Sequence, residues 1–145
     1  MTIDLNSLDT STQEEQGAVM EILNPLTGEV LKGDDDEPQT ITLLGENSRK
    51  VQLWHDRNAR ENLTEQVAEH TGQKVAKARM TLRERNIEKV VAATSDCHLY
   101  LDGQWQECTP ENMRTIYRRL PFLYFQATAF MADMSKYLGN SPKAS

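Results

Sequence analysis

The chain has 145 residues, 38% hydrophobic and 6% aromatic, with a formal net charge of −6. That length suits one domain with a modest core. The acidity points away from a general nucleic-acid binder, which needs surplus Lys and Arg to displace counterions. The N-terminus is acidic and lacks the apolar segment of a signal peptide, and the most apolar run, residues 120–134, is too short to span a bilayer.

The charge is uneven. Residues 1–45 carry a net −9, residues 46–90 a net +3, and the remainder balances. Such runs read either as solvated faces or as an electrostatic contact with another chain. Cys97 and Cys108 are the only cysteines. They fit a reduced compartment, with a hairpin disulfide left open.

In chain order, residues 1–16 are polar and read as a flexible tail, followed by one α+β domain over 17–145. Ala18 to Leu23, Glu29 to Leu31 and Thr40 to Leu44 predict a small antiparallel sheet over 17–45, with Asn24-Pro25-Leu26-Thr27-Gly28 as its first turn. Asn47 or Ser48 then caps a long charged helix over 47–93, with a break expected near Gly72. Ala59, Leu63 and Val67 share one face of it. Ala76, Met80, Ile87 and Val91 share another, with Val90 beside them.

Residues 97–108 predict a short β-hairpin turning at Asp102-Gly103, with Leu99 and Leu101 on its buried face. A C-terminal helix pair over 110–138 follows. Thr109 caps its first helix, Pro110 sits at the first turn, and Pro121 starts the second, which runs to about Leu138 and stops at Gly139. The fold class is therefore helix-dominated α+β: a small N-terminal antiparallel sheet, a long charged helix, a hairpin and a helix pair. Six of the nine aromatics fall between residues 109 and 138: Tyr117, Phe122, Tyr124, Phe125, Phe130 and Tyr137. The last helix is apolar on two sides, so it is either deeply buried or covered by a partner. Tyr124 and Phe125, being adjacent, cannot share one face.

No catalytic constellation stands out. Cys97, His98 and Cys108 lack zinc-ligand spacing. The run Asp34-Asp35-Asp36-Glu37 lacks the alternation of a calcium loop. There is no nucleophile elbow and no phosphate-binding glycine loop. The expectation is a protein without enzyme activity, cofactor or metal.

Several stretches do carry a family resemblance. They are Ile3-Asp4-Leu5-Asn6-Ser7-Leu8-Asp9-Thr10, the segment from Met20 to Leu31, and Ile41-Thr42-Leu43-Leu44-Gly45-Glu46-Asn47-Ser48. Toward the C-terminus are Leu101-Asp102-Gly103, Thr109-Pro110-Glu111-Asn112, Ile116-Tyr117, Leu120-Pro121-Phe122-Leu123, Gln126, Phe130 and Tyr137-Leu138. In this order the chain resembles the tail assembly chaperones of long-tailed bacteriophages and prophages. The likeness covers both ends, while residues 51–92 match only in being helical and charged. Asn47-Ser48 stands where the family pattern has Asp-Ser, and Asp133-Met134 where it has Asp-Arg.

The resemblance implies a non-enzymatic protein of the host cytoplasm. It would bind the tape-measure protein during tail assembly, keep it soluble and help recruit tail-tube protein, often in several copies. Neither nucleic acid nor membrane is an expected partner. The helical anchors available for such contacts are Phe122, Tyr124, Phe125, Phe130, Met134 and Tyr137, with Trp54 as a separate candidate; each is otherwise a core residue. Two other classes stay open. One is a structural tail or connector subunit retained in the virion. The other is a small regulatory nucleic-acid-binding protein using the basic middle helix.

Overall fold

The computed structural model describes residues 2–70 and 81–138. In order, the elements are α1 (Ser11–Gln16), β1 (Ala18–Glu21), β2 (Thr40–Leu43), α2 (Arg49–His70), α3 (Leu82–Ala93), β3 (Thr94–His98), β4 (Tyr100–Leu101), β5 (Gln104–Trp105), α4 (Pro110–Arg119) and α5 (Pro121–Ala132). Two 3-10 turns, Leu5–Leu8 and Met134–Tyr137, flank them. The protein is mixed helix and sheet, with helix dominant at 54% against 17% strand.

The antiparallel sheet has the order β1-β2-β3. Its central strand is β2, whose Ile41 and Leu43 are fully buried. Ala18 and Met20 of β1 face the same core, while Val19 and Glu21 face out. The third strand corrects the expectation. Residues 29–31 add only an isolated bridge, Leu23 to Val30, and the sheet is completed by Thr94–His98 from far along the chain. A three-residue segment between turns makes too few ladder bonds to hold an edge, whereas β3 is delivered directly by the end of α3.

Thr81 caps α3 by accepting from the Glu84 amide at 3.1 Å. Ile87, Val90, Val91 and Ala93 turn inward. The helix packs against α2, α4 and α5, so it organises the helical layer. Ile87, Val90 and Val91 are thus core, as their spacing predicts. Gly72, Ala76, Met80 and Gly139 lie outside the described residues.

The other predicted face, Ala59, Leu63 and Val67, remains exposed on α2, which among its described side chains contributes Val51 to the buried core. Two ion pairs lace α3 to α4: Glu88 accepts from Arg114 through both oxygens (2.6 and 2.8 Å), and Glu84 pairs with Arg118 at 2.7 Å. Being part-exposed, these pairs orient the helices more than they stabilise them.

The hairpin turns as predicted, with Asp102 and Gly103 both at positive φ (55° and 78°). Thr109 caps α4 through the Asn112 amide at 3.2 Å. Leu120, which precedes Pro121, leaves helical geometry (φ −120°, ψ 79°) and separates α4 from α5.

Two ends of elements differ from expectation. α5 stops at Ala132 rather than near Leu138, because the Asp133 side chain accepts from the Ser135 amide and starts a separate 3-10 turn. Part of the expected flexible tail is also ordered. Residues 11–16 form α1, with Glu14 buried at 4% exposure. Its carboxyl accepts from the Thr10 hydroxyl (2.8 Å) and the Asn47 amide (3.1 Å), and Glu15 accepts from the Arg49 amide at 2.6 Å. The α2 N-terminus is therefore served by carboxyls from α1, while the Ser48 hydroxyl is buried without a hydrogen-bond partner. Gly45 permits this approach, since a Cβ there would collide with the Glu14 side chain.

Candidate partner-binding surfaces

Position along α5 decides the fate of each aromatic. Leu123, Tyr124, Ala127 and Met131 recur at three- and four-residue steps and face the core. Phe125 is rotated away from that stripe and is 57% exposed. Its ring meets Tyr124 edge-on at 5.4 Å, and the Arg83 guanidinium lies 5.2 Å from its centroid. The two adjacent aromatics therefore divide between inside and outside, as their spacing requires.

Tyr137 is not a surface anchor. It is 1% exposed, and its hydroxyl donates to the carbonyls of Leu43 and Leu44 at 3.1 and 3.3 Å. The 3-10 turn folds it back onto the end of β2. Tyr124, at 6% exposure, is likewise core. Phe130 is partly buried, packed on the core and set edge-on to Tyr137 at 5.8 Å. Met134 is 55% exposed.

Phe122 is partly buried at the rim of an apolar pocket of about 240 Å³. Ile22, Leu31, Leu99, Leu101 and Leu120 also line it. That volume accommodates one inserted apolar side chain, and Phe122 precedes Phe125 by three positions on α5.

Trp54 lies apart from the C-terminal aromatics, half-buried and edge-on to His55 at 5.1 Å. It lines an open groove of about 540 Å³ between α2 and α3, with Lys50, Arg57 and Arg114 around it. The seven predicted contact residues are thus not one surface. Phe122, Phe125 and Met134 remain accessible on the C-terminal segment, Trp54 opens elsewhere, Phe130 is intermediate, and Tyr124 and Tyr137 belong to the core.

Two features lay outside the sequence expectations. Trp105 stacks on His98 at 4.1 Å and covers Gly33, where a Cβ would meet the indole. Gln126 bonds both backbone groups of Leu23, a contact 103 residues apart in sequence. Only pairing over that distance reveals it, so no local signal could.

Cys97 and Cys108 are free thiols that lie close enough to influence one another. Burial, then the contact with Cys108, pushes the Cys97 thiol well above the ordinary thiol range. Since the thiolate is the nucleophile, iodoacetamide at pH 8 is expected to alkylate native Cys97 far more slowly than the urea-unfolded chain. Mass spectrometry of timed quenches checks this, and equal rates would contradict the placement.

Among the described residues, no group of three or more His, Cys, Asp or Glu could hold a metal ion, and no helix is long and apolar enough to cross a membrane. Fold and surfaces together define a small α+β protein with a helix pair backing a three-stranded sheet and several apolar side chains left uncovered. No family model, curated protein or solved structure matches the chain.

Proposed function

We propose that the chain is a bacteriophage tail assembly chaperone that binds the tape-measure protein in the host cytoplasm. The observation that carries this reading is the uncovered apolar surface of α5. Phe125 stands out at 57% exposure, and Phe122 rims an apolar pocket one turn away. Leu82, at the start of α3 beside Arg83, adds a 76% exposed side chain. Large apolar groups grouped on a surface mark sites that another molecule covers.

A long helical partner presents apolar stripes at three- and four-residue steps, which a helix face and an adjoining pocket can receive. Leu63 and Val67 on α2, 62% and 54% exposed, offer a second stripe of the same period. It suits another helix, from the tape-measure protein or from a second copy of the chain. Under this reading Phe122, Phe125 and Met134 make contact, Trp54 serves a separate contact, and Tyr124 and Tyr137 hold the platform beneath. Tail-tube protein is a further partner, and no catalytic step is involved.

Co-expression with the neighbouring tape-measure gene tests the reading: the chain should raise the soluble yield of the long protein. Phe125→Asp should weaken that binding by about 2 kcal/mol, roughly thirtyfold. Because the ring is exposed, folding stability should stay within about 0.5 kcal/mol of wild type. If the tape-measure protein is no more soluble with the chain than without it, the chaperone reading fails.

A further inference from the structure

β1 is an edge strand: β2 covers one side, and among the described residues no strand covers the other. Its register pairs Ala18 with Leu43 and Met20 with Ile41, and the Ile22 amide donates to the Gln39 carbonyl at 3.0 Å. In an antiparallel pair, alternate residues direct their backbone groups to the same neighbour. Ala18, Met20 and Ile22 therefore face β2, and Gly17, Val19, Glu21 and Leu23 face away.

Both ends of that outer row are occupied. Gln126 accepts from the Leu23 amide at 3.0 Å and donates to its carbonyl at 2.7 Å, as a neighbouring strand would. Gln13 donates to the Gly17 carbonyl. Between these two side-chain amides lie Val19 and Glu21, whose outward backbone groups meet no hydrogen-bond partner among the described residues. Facing them across a groove of about 790 Å³ stand Ala129 and Phe130 of α5, with Lys136 beyond.

An open strand edge opposite a helix wall is the arrangement that receives one extended peptide by strand addition. The wall and the clamps disfavour a second copy of β1. Symmetric pairing about Met20 would bring Gly17 of that copy opposite Leu23, where the Gln126 amide already sits. The side chains define the occupant further. Glu21 is exposed and makes no ion pair among the described residues, so it favours a cation directly across the ladder. The next position, opposite Met20, points toward Ala129 and Phe130 and favours an apolar side chain. The position opposite Val19, 61% exposed, favours a β-branched one.

We propose that the groove between β1 and α5 binds an extended segment of a partner protein by antiparallel strand addition, reading basic, apolar, β-branched against Glu21, Met20 and Val19. This surface is separate from the exposed Phe125 face and does not depend on the chaperone reading.

The test titrates the ¹⁵N-labelled full chain with the acetylated, amidated peptide STKLVTS, with STELVTS and STKLPTS, whose proline removes the bonding amide opposite Val19, as comparisons. The first peptide should slow hydrogen exchange at the Val19 and Glu21 amides and bind tighter than the other two. Val19→Pro removes one outward donor and spares the β1–β2 ladder, so it should weaken binding about tenfold. If that variant fails to fold, N-methylation of the peptide's bonding amides replaces it and should weaken binding similarly. Glu21→Lys should reverse the preference toward STELVTS. Unchanged exchange at Val19 and Glu21 overturns strand addition, as does equal binding of STKLPTS. Persistent preference for STKLVTS in Glu21→Lys overturns the charge assignment. Protection that rises with protein concentration alone would instead assign the edge to self-pairing.

Discussion

Tyr137→Ala is expected to lower the unfolding free energy by about 3–5 kcal/mol, the range for truncating a buried aromatic ring. The side chain is 1% exposed and lies where the last 3-10 turn meets the end of β2. Truncation removes the ring that Phe130 packs against at 5.8 Å and frees the carbonyls of Leu43 and Leu44 from their shared donor. Tyr137→Phe isolates the second effect and should cost about 1–2 kcal/mol. Urea unfolding followed by circular dichroism measures both. A loss below about 1 kcal/mol for the alanine variant would return Tyr137 to the candidate contact surface.

The same hydroxyl sets a pH dependence. Burial, then the charges of Glu14 and Glu46, raises its pKa above the usual value of 10.0. The neutral form is the one the fold favours. Its contribution is fully present below about pH 10 and is lost as pH rises through the raised value. Tyr137→Phe should flatten that alkaline decline.

Glu14→Ala is expected to cost about 2–3 kcal/mol. At six residues, α1 is too short to persist without tertiary support. Glu14 supplies that support by joining Thr10, the Asn47 amide and the Asn47 side chain. The alanine variant leaves the Asn47 amide unpaired and opens space against Gly45. Glu14→Gln keeps an acceptor and should lose roughly 1 kcal/mol. In a double-mutant cycle with Asn47→Ala, a coupling of about 1 kcal/mol or more is expected. Additive effects would show that Glu14 does not hold this junction.

Several elements were legible because their causes are local. Thr109 with Pro110 begins α4, Pro121 begins α5, and Asp102-Gly103 turns the hairpin; each acts within a few residues. The end of α5 has a local cause too, the Asp133 side chain on the Ser135 amide, although apolar residues continue beyond it at Met134 and Leu138. Glu14 was hidden differently. A carboxyl in a polar segment normally points to solvent, and only the approach of Gly45 and Asn47 turns this one inward.

Of the candidate contacts, the sequence required that Tyr124 and Phe125 part company, but not which of them would be exposed. That depended on which face of α5 met the sheet and α3. The same dependence separates buried Tyr137 from exposed Met134.

The sequence by itself determined the α+β class, the hairpin turn, the starts of both C-terminal helices and the inward face of α3, because periodicity, caps and turns are short-range. Tertiary structure alone decided that β3 rather than residues 29–31 completes the sheet, that α1 braces α2, and that Gln126 closes one end of the β1 edge. Those outcomes depend on pairings between distant segments, where burial and backbone hydrogen bonding select among partners that local propensity leaves equivalent.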